Sequence, residues 1–131
     1  RCYVIRTSWV FGENGKNFFS LMPIKLLKNE DVYTHDEQLV CPTSALFLAN
    51  MITKIPEFPA GIYHVTGKTP LTPLEGTLMV RDLLRSSSNI RVFKPDLRIR
   101  PKTSVLLDTK INYEKPSFTD EILRFVKTSP F

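Results

Sequence analysis

Apolar residues follow two different spacings along this chain, and their alternation predicts an α/β fold. Residues 1–6 are β-branched, aromatic or apolar at nearly every central position, which is typical of a parallel strand that is buried on both faces. Segments 31–35, 61–66 and 90–93 are rich in β-forming residues and are predicted as further strands. Strands that alternate with helical segments favour a parallel sheet.

Two segments in the first half carry apolar residues at helical spacing. In 18–27 the pattern contains Pro23, so the helix is either kinked there or begins near Met22 with the proline in its first turn. Thr43 is predicted to cap a second helix, which ends before Pro56. Between the first strand and the first helix, residues 7–15 are predicted as a loop.

Two more helices are predicted in the second half. Thr72, with Pro73 after it and Glu75 three residues later, forms a capping box at the start of the third helix. We expect this helix to extend to about Leu84. The fourth is predicted over 117–127, with one apolar face.

Composition narrows the class of protein. At 131 residues, with 42% hydrophobic and 24% charged residues, the chain is one ordinary globular domain. The net charge is +5, but the basic residues are scattered, so no nucleic-acid face is predicted. No apolar segment reaches the roughly 18 residues of a membrane span. Cys2 and Cys41 form no CxxC motif, and two reduced thiols indicate a cytoplasmic protein.

The residues alone assign no chemistry. The sequence contains no glycine-rich phosphate loop, no HExxH and no metal-ligand spacing. His35 and His64 are far apart, and a histidine within a strand is more often packed than catalytic. The adjacent carboxylates Asp36 and Glu37 are predicted to face water rather than to act as an acid/base pair.

Five segments in order nevertheless resemble one family. They are RTSWVFG at 6–12, ENGKNF at 13–18, DEQ with PT between 36 and 43, GIYHVTG at 61–67, and RPKTS with a following Asp and Lys between 100 and 110. Along essentially its whole length the chain resembles dTDP-4-dehydrorhamnose reductases, members of the extended short-chain dehydrogenase/reductase superfamily. The resemblance implies the C-terminal part of a Rossmann-like fold, with parallel strands, helices and a smaller substrate-binding subdomain. Residues 1–131 would be the substrate-binding half, and the cofactor-binding half would be absent.

The resemblance also implies where ligands bind. Thr7 and Ser8 follow the first strand and would contact the cofactor, because ligands sit beyond the carboxyl ends of parallel strands. The indole of Trp9 would lie against the sugar, and Thr43 would form a wall of the sugar pocket. Arg100 would bind the diphosphate, whose oxygens match a guanidinium.

The family's proton-transferring Tyr-xxx-Lys pair and its glycine-rich dinucleotide turn do not occur in this sequence. The resemblance therefore implies NADPH or NADH in the full-length protein, no cofactor for this chain alone, and no catalytic residue in it. The expected partner is a nucleotide-diphosphate sugar, with a homodimer possible. Phe47 stands where the family has an acidic residue, while Val40 and Cys41 replace a glycine and a serine.

Two alternatives stay open. The chain could come from another nucleotide-sugar epimerase or dehydratase of the superfamily, although the Trp9 segment favours a reductase. It could also belong to a catalytically silent, reductase-like regulatory subunit that binds a partner protein. The full-length sequence would separate these alternatives, since the glycine motif and the Tyr-xxx-Lys pair are required for hydride and proton transfer.

Overall fold

The computed structural model describes residues 1–96, 102–106 and 113–128 of the chain. Helices and strands alternate along these residues, which confirms the α/β prediction. The helices are α1 (Phe18–Leu27), α2 (Ala45–Lys54), α3 (Pro73–Leu84) and α4 (Phe118–Thr128). The strands are β1 (Tyr3–Arg6), β2 (Val10–Phe11), β3 (Val32–Thr34), β4 (Leu39–Val40), β5 (Thr43–Ser44), β6 (Gly61–His64), β7 (Ile90–Val92) and β8 (Thr103–Ser104).

The strands of the described residues pair in parallel: β1 with β6, β2 with β5, β3 with β7 and β4 with β8. The strands predicted at 31–35, 61–66 and 90–93 are confirmed as β3, β6 and β7. The two-residue strands β2, β4, β5 and β8 were not predicted, and β2 lies inside the segment predicted as a loop. Two residues are too few to show a period, so only the partner strand reveals them.

Helix α1 passes through Pro23 without ending there. Asn17 caps the helix by accepting a hydrogen bond from the Ser20 N–H at 3.0 Å. The alternative of a helix that begins near Met22 is therefore wrong. The proline removes one helical hydrogen bond, a cost of about 3 kcal/mol. Burial of Phe19 and Met22 on either side of the lost bond offsets this cost.

Helix α2 begins after Ser44, so the prediction that Thr43 caps it is wrong. The Ser44 hydroxyl accepts a hydrogen bond from the Phe47 N–H at 3.3 Å. Thr43 instead pairs with Val10 in the β2–β5 ladder, and its N–H donates to the Trp9 carbonyl oxygen at 3.2 Å. This bond keeps Thr43 in an extended conformation and shifts the cap by one residue.

The third and fourth helices follow the predictions closely. The Thr72 hydroxyl accepts a hydrogen bond from the Glu75 N–H at 3.2 Å, and Pro73 opens α3. Helix α4 buries Phe118, Ile122 and Phe125 on one face. Within residues 1–96, 102–106 and 113–128, no helix is long and apolar enough to cross a membrane.

Two hydrophobic clusters hold these elements together. In the larger cluster, α1, α3 and α4 pack around fully buried side chains, among them Phe19, Leu26, Val80 and Ile122. In the smaller cluster, α2 and the short 3-10 helix after it pack against β1 and β6. Its buried members are Met51, Ile55, Tyr63 and Val65. We call these the helical cluster and the β1–β6 cluster.

Strand β1 is buried on one face only within this chain, and burial of its second face by further strands of a complete sheet stays a prediction. Tyr3 and Ile5 pack into the β1–β6 cluster. Val4 pairs with Ile62 across the ladder, and these side chains are 44% and 40% exposed. The sequence shows the apolar character of β1 but not whether another element of this chain covers its second face.

Candidate substrate site

The carboxyl ends of several parallel strands converge on one cavity. Trp9 lies in the loop after β1, His35 directly follows β3, and Phe93 directly follows β7. All three side chains line the same cavity. This edge of parallel strands is where open α/β folds bind their ligands.

The cavity has a volume of about 100 Å³ and largely aromatic walls. We call it the aromatic cavity; the side chains that form it include Trp9, Phe18, Tyr33, Thr34, His35 and Phe93. Tyr33 and Phe93 are 59% and 45% exposed and stand at its mouth, whereas Thr34 and His35 are buried. The rings of His35 and Phe93 meet edge to face at 5.5 Å.

One polar group in the aromatic cavity has no partner. The Thr34 hydroxyl is buried and makes no hydrogen bond. The backbone carbonyl oxygen of Thr34 accepts a hydrogen bond from the Phe93 N–H at 2.9 Å, which fixes the backbone of the wall formed by Phe93. A buried hydroxyl without a partner costs about 1–3 kcal/mol. A polar ligand atom within reach of Thr34 would recover part of this cost.

Trp9 is held in a backbone conformation that bulky residues rarely adopt. Its φ angle is 45°, in the left-handed region, which costs about 1–3 kcal/mol for a non-glycine residue. The hydrogen bond from the Thr43 N–H to the Trp9 carbonyl oxygen fixes this conformation. The edge contact of the indole with Phe19, at 5.7 Å, anchors the side chain to the helical cluster. Trp9 is thus both a packed residue and a cavity wall.

The two residues predicted to contact the cofactor lie between β1 and Trp9. The Thr7 hydroxyl is buried and makes no hydrogen bond. Ser8 is half-buried and already has a contact within the protein. An unpartnered hydroxyl at a strand exit fits a polar group of a nicotinamide cofactor, so these residues are compatible with the cofactor that the sequence implies.

Thr43 is fully buried and links two strand exits. Its hydroxyl donates to the Cys41 carbonyl oxygen and accepts from the Gly67 N–H, both at 3.2 Å. With its bond to Trp9, Thr43 ties the loop after β1 to the loop after β6. Its contact with a sugar stays a prediction; its observed bonds make it a support for the site.

Arg100 lies outside the described residues, so its predicted contact with a diphosphate is untested by the structure. Lys102, two residues later, accepts a hydrogen bond at its carbonyl oxygen from the Leu39 N–H at 2.7 Å. Lys102 therefore lies beside β4, immediately before β8.

An exposed ion pair joins the strands that frame the aromatic cavity. Arg91 on β7 donates to Asp31, just before β3, at 3.0 Å. The hydrogen bond and charge of Arg91 lower the pKa of Asp31 and hold it ionised, while Asp31 raises the pKa of Arg91. Because both side chains are largely exposed, the pair mainly favours the β3–β7 register.

A family profile described as the RmlD substrate binding domain matches residues 1–129. The chain belongs to this family. A dTDP-4-dehydrorhamnose reductase of Streptomyces griseus is 34% identical over 118 residues, which cover 79% of this chain and 38% of that protein. The Bacillus anthracis dTDP-4-dehydrorhamnose reductase, solved in complex with NADP, superposes on 96% of this chain with a TM-score of 0.82 and 26% identity.

The fold extends beyond these reductases. A UDP-glucose 4-epimerase of Thermotoga maritima, solved with UDP-glucose, covers 82% of this chain with a TM-score of 0.69 and 12% identity, which shows the fold alone. The chain spans about half the length of the Bacillus anthracis reductase, 48%. It thus has the Rossmann-like fold of the extended short-chain dehydrogenase/reductases, as the sequence indicates.

Sequence reasoning missed most walls of the aromatic cavity. Tyr33, Thr34, His35 and Phe93 were assigned only to strands or to packing, because nothing local shows that β3 pairs with β7. A larger groove of about 680 Å³ runs along α2 and contains none of the predicted site residues that the structure describes. Nor is any group of three or more His, Cys, Asp or Glu in the described segments placed to bind a metal.

Two departures from the family pattern have contacts of their own. Phe47, at the usually acidic position, packs against Tyr113 with ring centres 5.8 Å apart. The Tyr113 hydroxyl in turn accepts from the Thr66 N–H at 3.3 Å, beside the loop after β6. The Cys41 thiol donates to the Gly67 carbonyl oxygen at 3.0 Å. Both replacements therefore brace the same loop from within the protein.

Proposed function

We propose that this chain forms the nucleotide-sugar side of a reductase of the dTDP-4-dehydrorhamnose reductase type. In the complete protein, NADPH or NADH would reduce a 4-keto-6-deoxysugar nucleotide. The observation that carries the proposal is the position of Trp9. This strained residue lies in the loop after β1 and forms a wall of the aromatic cavity, where parallel strands end. Membership in a substrate-binding family and the reductases among its relatives support it.

Each site residue has a distinct task in this proposal. Trp9 would present its indole to the sugar nucleotide, since a flat apolar ring with one N–H suits a deoxysugar. Arg100 would bind the diphosphate through paired hydrogen bonds. Thr7 and Ser8 would contact the nicotinamide end of the cofactor, which supplies the hydride when bound. Thr43 would hold the loop that carries Trp9 in place.

The proposal is tested by steady-state kinetics of the complete protein that contains this chain. Arg100→Ala should raise KM by about tenfold to a hundredfold with little change in kcat, because the diphosphate contact exists in both ground and transition states. Trp9→Ala should also lower kcat, since a loosened sugar is aligned less often with the hydride. Affinity for NADPH should stay at the wild-type value in both variants.

Lys127→Ala, an exposed cation at the end of α4, is the control for loss of charge. Unchanged kinetics of Arg100→Ala combined with a lower Tm would give Arg100 a purely structural role. A complete protein with neither reductase activity nor affinity for nucleotide sugars would refute the proposed function.

A further inference from the structure

We propose that the Tyr113 hydroxyl is a positioning group for Trp9. It closes the open edge of β6 where this strand ends, and the loop after β6 in turn holds Trp9 in the conformation that lines the aromatic cavity. The expected effect on turnover rests on the proposed function, whereas the expected effect on Trp9 itself does not. Tyr113 lines the groove along α2 and does not line the aromatic cavity, so it would act only through other residues.

The end of β6 has one edge that β1 does not cover. Backbone groups of successive residues point alternately to the two edges of a strand. The Val65 N–H donates to the Arg6 carbonyl oxygen at 2.9 Å and therefore points towards β1. The His64 carbonyl and the Thr66 N–H point to the opposite edge, where β6 pairs with no second strand of the described residues. Both groups need a partner, because an unpaired backbone group away from water is costly.

The Tyr113 hydroxyl takes the place of a neighbouring strand at this edge. It accepts a hydrogen bond from the Thr66 N–H at 3.3 Å and donates one to the His64 carbonyl oxygen at 3.4 Å. In a parallel ladder, the peptide groups of one neighbouring residue bond the same two positions. The tyrosine ring is held for this task, since Phe47 packs against it at 5.8 Å and the Lys115 ammonium lies 5.9 Å from its centre.

The loop after β6 connects this edge to Trp9 through consecutive contacts. Thr66 is followed by Gly67, which is buried so closely against Pro42 that a Cβ there would clash with the Pro42 carbonyl oxygen. The Gly67 N–H donates to the Thr43 hydroxyl at 3.2 Å. The Thr43 N–H then donates to the Trp9 carbonyl oxygen, also at 3.2 Å. A displaced loop would therefore move the residue that fixes Trp9.

Trp9 depends on this support because its backbone is strained. A φ angle of 45° is kept by a bulky residue only where the surrounding structure enforces it. Once the loop after β6 is loosened, the indole should leave its packed position for part of the time. The sugar would then be aligned less often with the hydride, which lowers turnover more than binding.

The test compares two variants that each remove one tyrosine hydroxyl. Tyr113→Phe keeps the ring and loses both bonds to the edge of β6. Tyr3→Phe is the matched control, because the Tyr3 hydroxyl also donates to a backbone carbonyl, that of Phe58 at 2.8 Å, and its ring packs into the same β1–β6 cluster. Tyr3 lies at the other end of the ladder, where β1 begins.

Trp9 is the only tryptophan of the 131-residue sequence, so the emission of this chain reports on its surroundings. We expect Tyr113→Phe to shift the emission to longer wavelength and to increase its quenching by acrylamide. Tyr3→Phe should leave both unchanged, even where the two variants lower the Tm equally. Circular dichroism establishes that the variants are folded.

Steady-state kinetics of the complete protein provide the functional readout. Tyr113→Phe should lower kcat on the order of tenfold with little change in KM, since misalignment rather than lost binding is expected. Tyr3→Phe should leave kcat unchanged. In a Trp9→Ala background, Tyr113→Phe should lower kcat no further, because groups that act through one another are not additive.

A second variant breaks the same connection at another contact. Thr43→Val removes the hydroxyl that accepts from Gly67 and keeps the backbone N–H that donates to Trp9. It should shift the Trp9 emission in the same direction as Tyr113→Phe. This variant carries the test if Tyr113→Phe does not fold.

Unchanged Trp9 emission in Tyr113→Phe and Thr43→Val, or equal shifts in Tyr113→Phe and Tyr3→Phe, would overturn the positioning role. Additive losses of kcat in Tyr113→Phe and Trp9→Ala would do the same. If the emission shifts as expected but the complete protein reduces no nucleotide sugar, the positioning role stands and the proposed function falls. If the complete protein is a reductase and the emission is unchanged, the proposed function stands and the positioning role falls.

Discussion

The helical cluster and the β1–β6 cluster differ in how completely this chain closes them. Phe19, Leu26 and Ile122 in the helical cluster are at most 1% exposed. The strands that carry the β1–β6 cluster have a second face, on which Val4 of β1 is 44% exposed and Ile62 of β6 is 40% exposed. Three helices of the chain surround the first cluster, whereas α2 covers only one face of β1 and β6.

This difference separates the two ligand sites that we propose. The aromatic cavity is built on the helical cluster, since Phe19 supports Trp9 directly. Thr7 and Ser8, the predicted cofactor contacts, follow β1 in the less enclosed region. We propose that the substrate site is formed within this chain, whereas the cofactor site requires residues outside it. This division agrees with the length of the chain, which spans about half of a related reductase, 48%.

The largest expected effect comes from opening the helical cluster. Phe19→Ala should lower the free energy of unfolding by about 3–5 kcal/mol, because it leaves a cavity among Trp9, Phe18 and Phe118. Val4→Ala, at a side chain 44% exposed, should change it by less than about 0.5 kcal/mol. Urea denaturation measures both. A similar loss in the two variants would mean that β1 is covered in solution.

A smaller effect distinguishes the helix caps of the two regions. Thr72 caps α3 and donates to Asp36 at 2.7 Å, so Thr72→Ala should cost about 1 kcal/mol. Ser44→Ala should cost less, because α2 packs into the smaller cluster. Denaturant midpoints of the two variants provide the measurement. A larger loss for Ser44→Ala would contradict the ranking of the two regions.

The variant with the smallest expected change in folding stability, Ile62→Lys, should show the largest change in self-association of the chain. Val4 and Ile62 form an exposed apolar pair on β1 and β6, so we expect the isolated chain to self-associate. Ile62→Lys should reduce this association in sedimentation velocity and shift stability by less than about 0.5 kcal/mol. Val92→Lys, at an exposed position on β7, is the control and should leave it unchanged. A monomeric wild-type chain with a reversible melt would refute the expectation.

The sequence predicted those elements whose local pattern is strong. The Thr72 cap of α3 and the apolar face of α4 depend on residues three or four apart, and both are confirmed. The cap of α2 was misplaced because Thr43 is held in β5 by a bond that its N–H donates to Trp9, 34 positions earlier in the sequence. Long-range bonds of this kind leave no local signal.

Only part of the candidate site was predicted, because contacts between distant segments leave no local signal here either. Trp9 was selected because segment 6–12 is one of five that resemble the family, and it does line a cavity at a strand exit. Tyr33 and Phe93 are 60 positions apart, and they line the same cavity only because β3 pairs with β7. Val4 shows a different limit of sequence reasoning. Its hydrophobicity indicates that it is buried, but not which element would cover it.

Calorimetric titration of this chain with a dTDP-linked 6-deoxysugar and, separately, with NADPH tests the central claim most directly. If the substrate site is formed within residues 1–131 and most of the cofactor site is not, the sugar nucleotide should bind measurably and NADPH weakly or not at all. Trp9→Ala should weaken binding of the sugar nucleotide, and the control Val92→Ala, at an exposed position on β7, should leave this binding unchanged. Tight NADPH binding together with no heat from the sugar nucleotide would contradict the account.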